Sequence, residues 1–129
     1  MHAKLSVLLT AALLVICVPV NAHHSFAAVF DVDTSVDVSG TVTKVEWMNP
    51  HAWIYIDVDN GDGESTNWAF ELGSPNGLMR QGWTRKTVHV GDTINVAGYR
   101  ARDGSNRGNV KSIVLADGTE LTGMSSRDK

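Results

Sequence analysis

The sequence predicts an all-β domain of five strands with one short helix between the third and the fourth. Three observations carry that expectation. Apolar residues recur at every second position in several short runs, the runs are separated by clusters of glycine, aspartate and asparagine, and one stretch alone carries a helix-start signature.

In the first run Val36, Val38 and Val42 share one parity, and Val45 and Trp47 take the other. A change of phase inside one strand predicts a β-bulge near Thr43 and Lys44, which bends the strand. The second run sets Ala52, Ile54, Ile56 and Val58 on one face and His51, Trp53, Tyr55 and Asp57 on the other. In the third, Trp68, Phe70 and Leu72 oppose Asn67, Ala69 and Glu71. The turn composition Asn60-Gly61-Asp62-Gly63 joins the second and third runs as a hairpin. Ser74 then caps, and Pro75 opens, a short helix that ends at Gly82. Thr93 to Arg102 and Val110 to Leu115 are the fourth and fifth runs.

Three strands, a short helix and two strands is the element order of an OB-fold. That fold is a five-stranded Greek-key barrel, which binds ligands on the face of strands two and three. A small β-sandwich is the alternative, because alternation identifies strands without specifying how they close.

The start of the chain reads as a secretory signal: Lys4, an apolar run from Leu5 to Val18, then Pro19 and the small-residue pattern Val20-Asn21-Ala22. The apolar run is shorter than the roughly 20 residues of a membrane span, and Ile16 before Cys17 is not the small residue that precedes a lipid-modified cysteine. The expected organisation is therefore 1–22 signal peptide, 23–35 N-terminal segment able to pack on the barrel, 36–121 OB-like barrel and 122–129 polar tail. Cleavage after Ala22 would leave a cysteine-free periplasmic or secreted domain with no membrane anchor. Loss of Lys4 would take the formal net charge from -3 to -4, the wrong sign for general nucleic-acid binding.

Two features carry chemistry. The processed chain would begin His23-His24. A free N-terminal histidine offers its α-amine and a ring nitrogen to one metal ion, and one more imidazole completes a set that suits square Cu(II) geometry. The second feature is Glu46-Trp47-Met48-Asn49-Pro50-His51-Ala52-Trp53, where Asn-Pro marks a turn and the alternation puts His51, Trp53 and Tyr55 away from the core. With the hairpin centred near Asp62, Glu71 falls across from Trp53 and diagonal to His51. The result is an aromatic patch with one imidazole and one carboxylate. It either binds a ligand or is covered by the segment His23 to Asp31, whose Phe26 and Phe30 are suited to packing. Such a fold-back would also bring His23 and His24 towards His51. Arg100, Arg102 and Arg107 around the 103–108 loop read as solvated charges.

The start His23-His24-Ser25-Phe26, the block Glu46-Trp47-x-Asn49-Pro50-His51-Ala52-Trp53, Trp68-x-x-Glu71, Ser74-Pro75-x-x-Leu78 and Ala101-Arg102-Asp103-Gly104 together resemble a family of small exported bacterial proteins. That family is catalogued only as a domain of unknown function. The resemblance implies export and one compact β domain, and no activity. His23, His24 and His51 fall on its motif positions.

Together these features set the expectation of a binding module. Its metal ligands would be His23, His24 and His51 around copper, with Glu71 as an outer partner. The alternative is a module without a metal or other cofactor that binds a small molecule or peptide through Trp53, Tyr55 and Glu71. No nucleophile motif, phosphate loop or paired-carboxylate arrangement points to catalysis.

Overall fold

A computed structural model describes residues 26–123. Within it the chain runs α1 (Phe26–Val29), β1 (Phe30–Glu46), β2 (Trp53–Asp59), β3 (Ser65–Glu71), α2 (Pro75–Met79), β4 (Thr93–Ala101), β5 (Arg107–Val114) and β6 (Glu120–Thr122). The domain is all-β. Its sheet has the order β3-β2-β1-β4-β5-β6, antiparallel throughout, and β3 makes a further parallel pairing with β5. The expected signal peptide, His23 and His24 lie outside the described residues, as does the tail beyond Gly123.

β1 is the long spine, pairing with β4 through its first two thirds and with β2 through its last third. The bulge falls where the phase change put it: Val42 faces Ile56 and Lys44 faces Tyr55, leaving Thr43 as the extra residue. That slip returns Val45 to the inner side opposite Ile54 after Val42 has pointed inward opposite Ile56.

Two expectations need correction. β1 begins at Phe30 rather than Val36, so the second half of the N-terminal segment belongs to the sheet. Alternation failed to reveal this because the register slips between Asp31 and Ser35. The intervening polar residues form a small protrusion, in which the Asp31 carboxylate accepts from the Asp33 amide at 3.2 Å and the Thr34 hydroxyl at 2.9 Å. These two bonds, with Arg102 nearby, hold the Asp31 carboxyl below the usual range. The strand count is six rather than five, because Glu120–Thr122 adds to the second half of β5 after the Asp117-Gly118 turn.

The core follows the parity of each strand. Val42, Ile54, Ile56, Phe70, Ile94, Val96, Val110 and Ile113 are buried on the inner side, and Leu72, Leu78 and Trp83 close one end. Side chains of this size each contribute about 1.5–3 kcal/mol when fully buried. α2 forms as expected: the Ser74 hydroxyl accepts from the Gly77 amide at 3.2 Å and Pro75 occupies the first turn. Gly82, at φ +92°, turns the chain so that Trp83 is buried and its indole N–H donates to the Thr122 carbonyl at 2.8 Å.

Candidate functional site

The outer face of β2 carries the site. His51 stands just before the strand, followed on the same side by Trp53 and Tyr55, while Ala52, Ile54 and Ile56 are buried. The β2–β3 register sets Glu71 directly opposite Trp53, as a hairpin centred near Asp62 requires. The next strand along is β5. Its parallel register pairs Ala69 with Arg107, Phe70 with Gly108 and Glu71 with Asn109. Phe70 points into the core, so Glu71, Arg107 and Asn109 share the outer face. Gly108 allows the close approach: a Cβ there would lie 2.8 Å from the Phe70 ring.

This ladder brings three charged or ionisable groups together. His51 Nδ1 lies 2.6 Å from Glu71 Oε1, and Arg107 Nη2 lies 3.2 Å from Glu71 Oε2. Each carboxylate oxygen thus has its own nitrogen partner. The Glu71 side chain is only 12% exposed, against 42% for His51 and 40% for Arg107. A carboxylate buried to that degree is retained only when paired, and here a guanidinium pairs with it from one side and an imidazole from the other.

The Arg107 guanidinium is in turn held between aromatic rings, 4.8 Å from the Trp53 centroid and 5.8 Å from that of Phe30. Phe30 is 3% exposed and stands apart from the main core cluster. Phe26 packs on it at 5.4 Å and meets Tyr99 edge-on at 6.0 Å. Arg102 fastens this segment to β4, donating from its amide to the Val29 carbonyl at 2.9 Å and from Nε to the Ala27 carbonyl at 2.6 Å. Among the described residues, the N-terminal segment meets the aromatic patch through the contact of Phe30 with Arg107. Two buried polar atoms beside this arrangement, Arg107 Nε and Asn109 Oδ1, have no hydrogen-bond partner.

Tyr55, two residues further along β2, belongs to a separate group. Its hydroxyl donates to Glu46 Oε2 at 2.9 Å, Lys44 pairs with Glu46 Oε1, and the Lys44 ammonium lies 5.1 Å from the Tyr55 ring centroid. Lys44 first, and Tyr55 second, hold the Glu46 carboxyl below its usual range. Burial, followed by the bond to Glu46, pushes the Tyr55 hydroxyl up. Trp53 also borders a small apolar crevice with Val45, Trp47, Trp83 and Arg85, with room for about one water molecule.

Of the residues expected to form the site, the structure brings together His51, Trp53 and Glu71, and leaves Tyr55 with Glu46 and Lys44. Arg107 is the member that sequence reasoning missed. The expectation of solvated loop charges is corrected for Arg107, which holds Glu71; Arg100 and Arg102 make bonds in the open, Arg100 to the Gly104 carbonyl at 2.9 Å and Arg102 to Ala27, with Asp31 3.6 Å away. The alternation of Arg107 and Asn109 with Gly108 and Val110 was the available signal.

Chemically, the arrangement offers one imidazole whose Nδ1 is committed to a carboxylate. Its Nε2 is then the nitrogen free to accept a proton or bind a metal. Among the described residues no group of three or more His, Cys, Asp or Glu side chains is placed to hold a metal ion. His23 and His24 lie outside those residues.

Fold and site define the class: a small all-β domain carrying a histidine–carboxylate–guanidinium cluster on its outer sheet face. Within that class the chain belongs to the family described as "Family of unknown function (DUF6152)", whose model matches residues 11–111. This agrees with the resemblance to a domain-of-unknown-function family. No curated protein matches the chain. Among solved structures, the crystal structure of the ZRD-deleted mutant of TiaS in complex with agmatine is similar at 21% identity, with a TM-score of 0.41. The match covers 66% of this chain and 22% of that one, so the chain spans about a fifth of that protein's length.

Proposed function

We propose that the protein is a periplasmic or secreted OB-like binding module that holds a metal ion, copper in preference, through the processed N-terminal histidine and His51. The barrel reading is supported by strand pairing, since β3 contacts β5 as well as β2 and each of β1 to β5 has at least two strand neighbours. The bulged first strand and the position of α2 between β3 and β4 fit the same topology.

The observation that carries the metal reading is the 2.6 Å contact between His51 Nδ1 and Glu71. Metal-ligating histidines commonly donate their second ring nitrogen to a carboxylate, which fixes the ring and strengthens the donor. His51 has that partner and remains 42% exposed, so Nε2 is accessible. The remaining ligands would be the His23 amine and ring, with His24 as a further donor. The segment that carries them ends at Phe26, which packs on Phe30 beside Arg107. The role is capture or transfer of the ion rather than catalysis. A Cu(II) titration of protein processed to begin at His23, followed by electron paramagnetic resonance, tests it: the reading requires one-to-one binding that His51→Ala abolishes.

A second reading is a metal-free small-molecule or peptide site on the aromatic face of β2 and β3, supported by Trp53 and Tyr55 standing on the side of β2 away from the core with Glu71 opposite Trp53. The rings themselves are less available than that reading assumes, because Arg107 lies over Trp53 and Lys44 over Tyr55. Binding of indole that shifts the Trp53 and Tyr55 ring resonances, in protein with no affinity for copper, would select it over the first.

A further inference from the structure

Arg107 has no assigned role, and three features of its placement set it apart from an ordinary surface arginine. Its guanidinium is sandwiched between Trp53 and Phe30, residues from separate strands that both lie outside the main core cluster. One of its terminal nitrogens donates to Glu71 Oε2, the oxygen that His51 leaves free. Its Nε is buried without a partner. The side chain therefore does not satisfy its own donors to best effect, and what the rings and strand register do is aim it at Glu71.

We infer that Arg107 is a positioning residue for His51, clamping Glu71 so that the imidazole stays in its Nδ1–H tautomer with Nε2 turned outward. The physical chain is short. Glu71 can present Oε1 to His51 only while its carboxylate plane is fixed, and a second bond at Oε2 fixes that plane. Arginine suits the post where lysine does not, because a planar guanidinium stacks between two rings while still directing an N–H along its own plane. Without the clamp, Glu71 is free to rotate and the imidazole is free to exchange tautomers, placing a proton on the nitrogen that should bind metal.

The part of this inference that concerns copper rests on the proposed function; the part that concerns the tautomer does not, and the experiment separates them. The variant is Arg107→Met, which keeps an unbranched apolar body between Phe30 and Trp53 while removing the donor to Glu71, with Arg107→Lys beside it and near-ultraviolet circular dichroism confirming the native packing of each. The first readout is the ¹⁵N chemical-shift pattern of the His51 ring in metal-free protein. It should show the Nδ1–H form in the native protein and a mixture in Arg107→Met, with Arg107→Lys in between. The second is Cu(II) affinity of protein beginning at His23, expected to fall roughly tenfold in Arg107→Met, in line with losses at other outer partners of metal ligands. A natively packed Arg107→Met that keeps the native tautomer overturns the inference. A changed tautomer in a protein whose copper affinity ignores His51→Ala upholds the clamp and sinks the metal reading.

Discussion

Two carboxylates on one sheet face illustrate how burial changes the consequence of the same local chemistry. Glu46 sits between Lys44 and the Tyr55 hydroxyl; Glu71 sits between Arg107 and the His51 imidazole, on the other side of Trp53, with which both glutamates are in register. Each has a cation on one oxygen and a weaker donor on the other, and in each the cation lies over an aromatic ring of β2. The Glu46 group is a surface ion pair whose Lys44 side chain is 58% exposed, so water competes with the cation's contact. The Glu71 side chain is only 12% exposed, and the arginine that pairs with it lies over the Trp53 and Phe30 rings. Its partners must remain in place, because an unpaired charge at that depth is costly. Only this second group leaves a ring nitrogen free. The comparison teaches that the site is the place where the N-terminal strand has been brought over a polar pair, not simply where polar and aromatic residues meet.

The largest effect expected from breaking that contrast comes from Phe30→Ala. Phe30 is 3% exposed although it lies outside the main core cluster, so its truncation should cost about 3 kcal/mol in urea unfolding, as for a core phenylalanine. A loss below about 1 kcal/mol would mean that the N-terminal strand is not a firm cover over Arg107. Next comes Glu71→Ala, which strands the guanidinium between its rings and removes the partner of His51. We expect a loss of about 2–3 kcal/mol, against no resolvable change in the unfolding midpoint for Glu46→Ala. Equal effects of the two substitutions would erase the distinction drawn here.

The smallest effect concerns the titration of Glu46. Its folded pKa lies below the usual carboxylate range, so any stability it contributes is present above that range and disappears as pH falls through the folded value. Tyr55→Phe removes the second cause of the depression and Lys44→Ala the first. Carboxyl titration by NMR should therefore show the Glu46 midpoint rising in both variants, more in Lys44→Ala. The reverse order would mean that the tyrosine, and not the ion pair, governs this group.

Much of the architecture was legible from local pattern. The bulge at Thr43, the hairpin at Asp62, the Ser74 cap and the pairing of Trp53 with Glu71 all depend on residues within one strand, one turn or one hairpin. What alternation could not reveal depends on distant contacts. β6 is three residues long and exists only because β5 offers it an edge, and the start of β1 is hidden by a register slip among polar residues. Arg107 was misread for the same reason. Its partner Glu71 lies 36 positions away, across a parallel pairing that no local pattern encodes. His51 and Glu71 were legible as neighbours, whereas the residue that fixes their geometry was not.

The most direct measurement of the central claim is a Cu(II) titration, by electron paramagnetic resonance, of protein processed to begin at His23, alongside His51→Ala and a form carrying one additional N-terminal residue. The account predicts tight one-to-one binding with nitrogen hyperfine structure in the first, lost in both of the others. Weak binding indifferent to both changes would contradict it, and would move the search for a ligand to the aromatic face of Trp53 and Tyr55.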